Sequence, residues 1–84
     1  MKLNNLIETR KIKHLTQDEI SSYLNCDRST YSYIENGKIL ITIDTVLKLC
    51  YLFDCDILYL LDIRRNYKPL GKEDRELIKK KYNL

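Results

Sequence analysis

Arg28, Ser29, Ser32, Tyr33 and Asn36 recur at offsets of one, three and four. On a helix this spacing gathers all five on one outer face. The opposite side carries Tyr31, Ile34 and Glu35. The outer face offers guanidinium, hydroxyl, phenol and carboxamide groups, which donate and accept hydrogen bonds. It has no Cys–His pair with a third member, no metal-ligand cluster and no phosphate-binding glycine loop, so it lacks the parts of a catalytic centre. The chemistry it can do is recognition. An arginine fork matches guanine O6 and N7, and the smaller polar groups suit base edges or phosphate oxygens.

Such a helix has to be held at a fixed angle, and the residues before it supply the means. Thr16 with Glu19 three positions later forms a capping box, which starts a helix over about 17–24. Ile20 and Leu24 lie one turn apart on its buried face. Asn25 tolerates the left-handed conformation of a sharp turn. Asp27 is placed to cap the next helix, over about 28–36, with its charge at the positive helix end. Gly37 ends that helix. Two short helices, a tight turn and a polar outer face on the second make the layout that puts a helix into the DNA major groove.

These residues carry a resemblance. The stretches Leu15-Thr16-Gln17, Arg28-Ser29-Thr30, Ile34-Glu35-Asn36-Gly37-Lys38 and Asp44-Thr45 with Leu47 and Lys48 are similar to those of the phage Cro and repressor type of helix-turn-helix proteins, the XRE family. The similarity spans roughly residues 3–63. Some positions depart from the family pattern. His14 stands where a glycine usually ends the first helix, and His accepts positive φ better than most residues. Ser21 replaces an alanine, and Cys26 replaces a valine as a small hydrophobe. Tyr31 replaces a β-branched residue and brings a hydroxyl that needs a partner. Ile39-Leu40-Ile41 replaces a basic, proline-containing loop, which puts phosphate contacts from that loop in question.

The resemblance implies an all-α fold, a five-helix lambda-repressor-like domain over residues 1–63 with the helix-turn-helix motif at 17–36. A basic linker and C-terminal helix occupy 64–84. It implies double-stranded DNA as partner, with Gln17, Arg28, Ser29, Thr30, Ser32, Tyr33, Asn36 and Lys38 as the contact set. Gln17 is expected at a phosphate beside the start of its helix, and Asn36 and Lys38 at phosphates near the end of the next. Arg10 and Glu35 fall on faces that should point inward, and an isolated buried charge is costly, so each needs a partner. The resemblance implies that they pair; the alternative is two partly solvated charges. The expected function is sequence-specific transcriptional regulation, as a repressor acting as a homodimer on an inverted repeat. The rival reading is a protein-interaction module, antitoxin-like, that has lost DNA binding. No cofactor, metal or small-molecule ligand is expected.

The remaining elements follow from periodicity. Leu3, Leu6, Ile7 and Arg10 set a first helix over about 2–13. Thr42 or Asp44 caps a fourth, running to about Phe53 with Val46, Leu47, Cys50 and Phe53 inward. Asp54 or Asp56 starts a short fifth helix, about 57–62, with Ile57, Leu60 and Leu61 apolar. Gly71 to Lys81 reads as a sixth, with acids first and lysines last, as the helix dipole favours. Its stripe of Leu77, Ile78 and Tyr82 is expected to pack on the domain or on a second copy; of two candidate dimer surfaces, the Ile39–Ile41 loop with the end of the fifth helix and this stripe with the fifth helix, the second is favoured.

The chain has 84 residues and a net charge of +3, which suits one small helical domain. Its charge is unevenly spread: six basic and five acidic residues in 1–38, one and four in 39–63, eight and three in 64–84. The C-terminal lysines read either as a solvated helix face, the favoured reading, or as an arm adding nonspecific phosphate attraction. Composition rich in Lys, Asn, Ile and Tyr suggests an AT-rich bacterial or phage coding genome. No signal peptide or membrane span is evident, so a cytoplasmic location is expected. Three cysteines without a CxxC are expected to be reduced and buried, and one histidine is too few for a zinc site.

Overall fold

A computed structural model describes residues 1–84 and contains six helices and no strand. They are α1 (Asn4–Ile12), α2 (Gln17–Leu24), α3 (Arg28–Glu35), α4 (Ile43–Phe53), α5 (Ile57–Leu60) and α6 (Lys72–Tyr82). No helix is long and apolar enough to cross a membrane. The core draws on every helix up to α5, with Leu6, Ile20, Tyr31, Leu49, Phe53 and Leu60 fully buried together.

Local chemistry sets the ends of α2 and α3. Thr16 Oγ1 accepts from Glu19 N–H at 3.1 Å, and Glu19 Oε1 accepts from Thr16 N–H at 2.9 Å, so both halves of the capping box are made. His14 and Asn25 each take φ 57°, and Gly37 takes φ 69°. A Cβ on Gly37 would also meet the Met1 backbone at 1.8 Å, so that site excludes side chains twice over. Asp27 occupies the N-cap position of α3, but its side chain makes no capping bond, contrary to the expectation. Thr42 caps α4 through Thr45 N–H, and Asp56 caps α5 through Tyr59 N–H. Asp54 instead closes α4 in the left-handed region.

Several boundaries and faces differ from the periodicity. α1 starts at Asn4 because Leu3 is not helical: it turns into the core and its N–H donates to Glu35 O at 2.8 Å. Leu49, not Leu47, completes the buried stripe of α4 with Val46, Cys50 and Phe53, while Leu47 is half-buried. α5 stops at Leu60 because Asp62 adopts φ 62° and reverses the chain. That reversal aims the Asp62 carboxylate at the start of α1, where it accepts from Asn4 N–H at 3.0 Å and Asn5 N–H at 2.8 Å. Leu3, the residue at the N-cap position, has no side chain able to do this. A residue 57 positions away therefore caps α1. Asp62→Ala should lower stability by about 1–2 kcal/mol, read as a shift in the urea midpoint at unchanged slope. An unshifted midpoint would show that water replaces the carboxylate at no cost.

Residues 64–70 are packed rather than a free tether. Arg64 pairs with Asp56, Asp56 N–H donates to Lys68 O at 2.9 Å, and the Tyr67 ring meets Tyr59 edge-on at 5.5 Å. α6 then lies on α4 of its own chain. Ile78 is buried, Arg75 stacks over the Tyr51 ring at 4.2 Å, and Tyr82 Oη donates to Asp44. Leu77, 100° round the helix from Ile78, is left 67% exposed, so the expected three-residue stripe is split. All three cysteines are unpaired, with Cys50 and Cys55 buried.

Candidate nucleic-acid interface

The nominated residues fall into three groups. Arg28, Ser29, Tyr33 and Lys38 are exposed on or just beyond α3. Thr30, Ser32 and Asn36 are half-buried on the same helix. Gln17, at the first position of α2, is also half-buried. Gln17, Arg28, Ser29 and Ser32 line one shallow depression between α2 and α3.

The side chains differ in how free they are. Arg28 has a single charged partner, Asp18 at 3.7 Å, and both side chains are largely exposed. Such a pair holds little energy and yields easily to a stronger anion. Lys38 Nζ sits 5.9 Å from the Tyr33 ring centroid. Asn36 is committed locally: its Nδ2 donates to Ser32 O at 2.9 Å, which caps the end of α3. Gln17 is committed inward, since its Nε2 donates to Glu35 Oε1 at 2.9 Å. The family resemblance implies instead an outward Gln17 side chain at a phosphate. Only the burial of Glu35, a carboxylate needing several donors, signals the inward role.

Beneath the outer face lies the device that fixes it. Arg10 Nε donates to Glu35 Oε2 at 2.6 Å and Arg10 Nη2 to Glu35 Oε1 at 3.3 Å, a two-pronged pair. Arg10 Nη1 also donates to Leu15 O at 3.0 Å. The side chains are only 12% and 3% exposed. Burial alone would push the Glu35 carboxyl up, but the hydrogen bonds from Arg10 and Gln17 and the Arg10 charge hold it below the usual carboxylate range. The hydrogen bond to Glu35 likewise raises Arg10 above its ordinary value, against desolvation. α1, the first turn of α2 and the end of α3 are thus tied at one carboxylate.

Tyr31 completes the buried face beside this pair. Its ring is fully buried and its hydroxyl makes no hydrogen bond. Burial, and then the nearby Glu35 carboxylate, push the phenol well above its ordinary pKa, so it stays neutral. The hydroxyl makes no well-aligned bond, yet it stands close enough to Glu35 to help hold that carboxyl low, so the two effects offset and Tyr31→Phe should shift stability by less than about 1 kcal/mol. Thermal unfolding of the two chains checks this; a larger loss would mean that the hydroxyl chiefly serves Glu35.

The arrangement is a packed α2–turn–α3 unit that presents Arg28, Ser29 and Tyr33 outward. The model of the helix-turn-helix family matches residues 6–60, more than half of the chain. No curated protein and no solved structure matches the chain significantly.

Proposed function

The chain belongs to the helix-turn-helix family of the Cro/repressor, or XRE, type, whose members are DNA-binding transcription regulators, and from that premise we propose that it is a sequence-specific repressor that acts as a homodimer on an inverted-repeat operator. The observation that carries the reading is the two-sided character of α3. Tyr31, Ile34 and Glu35 are buried on one side, and Arg28, Ser29 and Tyr33 are exposed on the other.

In this reading α3 lies in the major groove. Arg28, Ser29 and Tyr33 reach base edges, with Arg28 the reader of a guanine. Thr30, Ser32, Asn36 and Lys38 border the backbone, and Gln17 brings the start of α2 to a phosphate while its amide holds Glu35. One such helix covers too few base pairs for a unique site. Two copies about 34 Å apart, one turn of DNA, read two half-sites. Leu58 and Leu77, both exposed, line one apolar groove with Ile57 and Leu70, and this is the surface assigned to the second copy.

Selection of bound duplexes from a random pool is the test. An inverted repeat with half-sites one turn apart is the expected result. No enrichment overturns the reading. A second reading rests on Leu40, 96% exposed, and Ile43, 61% exposed, just after α3. It makes the chain a protein-interaction module without DNA binding. A mobility shift with genomic fragments at fixed salt separates the two.

A further inference from the structure

The outer face of α6 is left without a partner inside the chain. Arg75, Ile78 and Tyr82 turn towards α4, and Leu77 stays 67% exposed. Leu84 folds back over the last turn, its N–H donating to Lys79 O at 3.0 Å. Leu77 and Leu84 line one concave surface with Glu73 and Lys80, and Leu77 also borders the groove that holds Leu58. At about 100° per residue, Glu73 and Lys80 stand about 40° and 60° to one side of Leu77, and Asp74 and Lys81 about 60° and 40° to the other. Acids thus flank Leu77 one turn before it, and lysines flank it one turn after. All four are exposed, and none forms a salt bridge within the chain. Lys81 Nζ only flanks the Tyr82 ring, 5.8 Å from its centroid. The helix dipole favours acids first and lysines last. It is indifferent to the side they occupy, and it does not account for the exposed leucine between them.

A second α6 laid antiparallel across this face, with a two-fold axis at Leu77, answers each of these charges. Leu77 meets its own counterpart on the axis. Glu73 stands opposite Lys80 of the second copy on one flank, Asp74 stands opposite Lys81 on the other, and the symmetry repeats both pairs. A parallel pairing would set Glu73 against Glu73 and Lys80 against Lys80, which repels. The face is therefore self-complementary in one direction only. We propose that α6 pairs antiparallel with α6 of a second copy, centred on Leu77. The proposal rests on the homodimer reading above and specifies its orientation and its charge pairs. The seam uses none of Arg28, Ser29 and Tyr33, the residues that face DNA in that reading. The helix has 11 residues, about 16 Å of length, so with Leu58 at its edge the seam is a small interface of the kind that associates weakly and reversibly.

The experiment is sedimentation of the full chain without DNA over a range of concentrations, with circular dichroism to check that each variant keeps its helices. Glu73→Lys and Lys80→Glu each turn two attractive pairs into two repulsive ones, so each should raise the dissociation constant about tenfold. An equimolar mixture of the two variants should return it to the parent value, because every lysine at these positions then faces a glutamate. Leu77→Glu sets two like charges on the axis and should leave a monomer. Lys72→Glu, an equal charge change about 140° round the helix from Leu77, should associate as the parent does. A dimer that survives Leu77→Glu and both reversals overturns the pairing and leaves the homodimer reading intact through another surface. Reversals that weaken association but are not restored by mixing overturn the antiparallel register, as does an equal loss in Lys72→Glu. A parent chain that is monomeric at every concentration overturns the pairing, and the symmetry of the selected duplexes then decides the homodimer reading by itself.

Discussion

Glu35→Ala should lower the free energy of unfolding by about 3–5 kcal/mol, a large share of the stability of a domain this small. The loss comes from what is left behind. Arg10, 12% exposed, would keep its positive charge with only the Leu15 carbonyl to meet it, and Gln17 Nε2 would lose its acceptor. Arg10→Ala should cost a similar amount, because the Glu35 carboxylate is 3% exposed. Replacing both at once by apolar residues of similar shape should recover most of the loss, since no unpaired charge then remains. The double-mutant cycle measures the coupling directly. A coupling near zero would mean that water screens both charges. Acid provides a second measurement. Glu35 is held below its ordinary value of 4.5 in the folded chain. Its stabilising contribution is therefore fully present above about pH 4.5 and is lost as the pH falls through the depressed folded value. Glu35→Ala should flatten that acid limb of the stability curve. The effect reaches DNA only through geometry, because the pair ties α1 to the last turn of α3.

The parts of the fold that could be read from the sequence are those whose causes lie within a few residues. The capping box of Thr16 and Glu19, the left-handed Asn25 and the glycine after α3 are all local chemistry, and the structure contains each of them. The buried side of α3 was legible because Tyr31, Ile34 and Glu35 share a helical face. What could not be read was set across the chain. Asp62 looks like a charge at the end of a short helix until the fold carries it to α1. Gln17 looks like a surface amide until Glu35 arrives beside it. The stripe on α6 was assigned as a unit, but α4 is narrow and covers only the side bearing Ile78 and Tyr82, leaving Leu77 outside. Because α4 of the same chain covers Ile78 and Tyr82, only the Leu77 edge of α6 is left for a second copy.

Arg28→Ala should weaken binding at the selected operator by about 1–3 kcal/mol, roughly 5- to 150-fold, and relax base preference at one position of each half-site. The expectation follows from where Arg28 stands. It is the first residue of α3, its side chain is 66% exposed, and its only charged partner is an equally exposed Asp18 at 3.7 Å. Releasing Asp18 is cheap, so nearly all of the guanidinium's bidentate energy is available to a guanine edge. The same exposure predicts that folding is unaffected, within about 0.5 kcal/mol, so a loss of binding cannot be traced to a loss of structure. Arg28→Lys is the sharper variant. It keeps the charge but not the planar fork, so it should lose discrimination at that base pair while retaining the salt dependence of the parent. The competing role for Arg28 is a phosphate contact, and the two roles separate cleanly. A phosphate contact predicts equal weakening on every sequence, a salt slope lower by about one unit for Arg28→Ala, and near-parent behaviour for Arg28→Lys. A selected motif that is unchanged in Arg28→Ala therefore moves Arg28 from the bases to the backbone and leaves Ser29 and Tyr33 to read the groove.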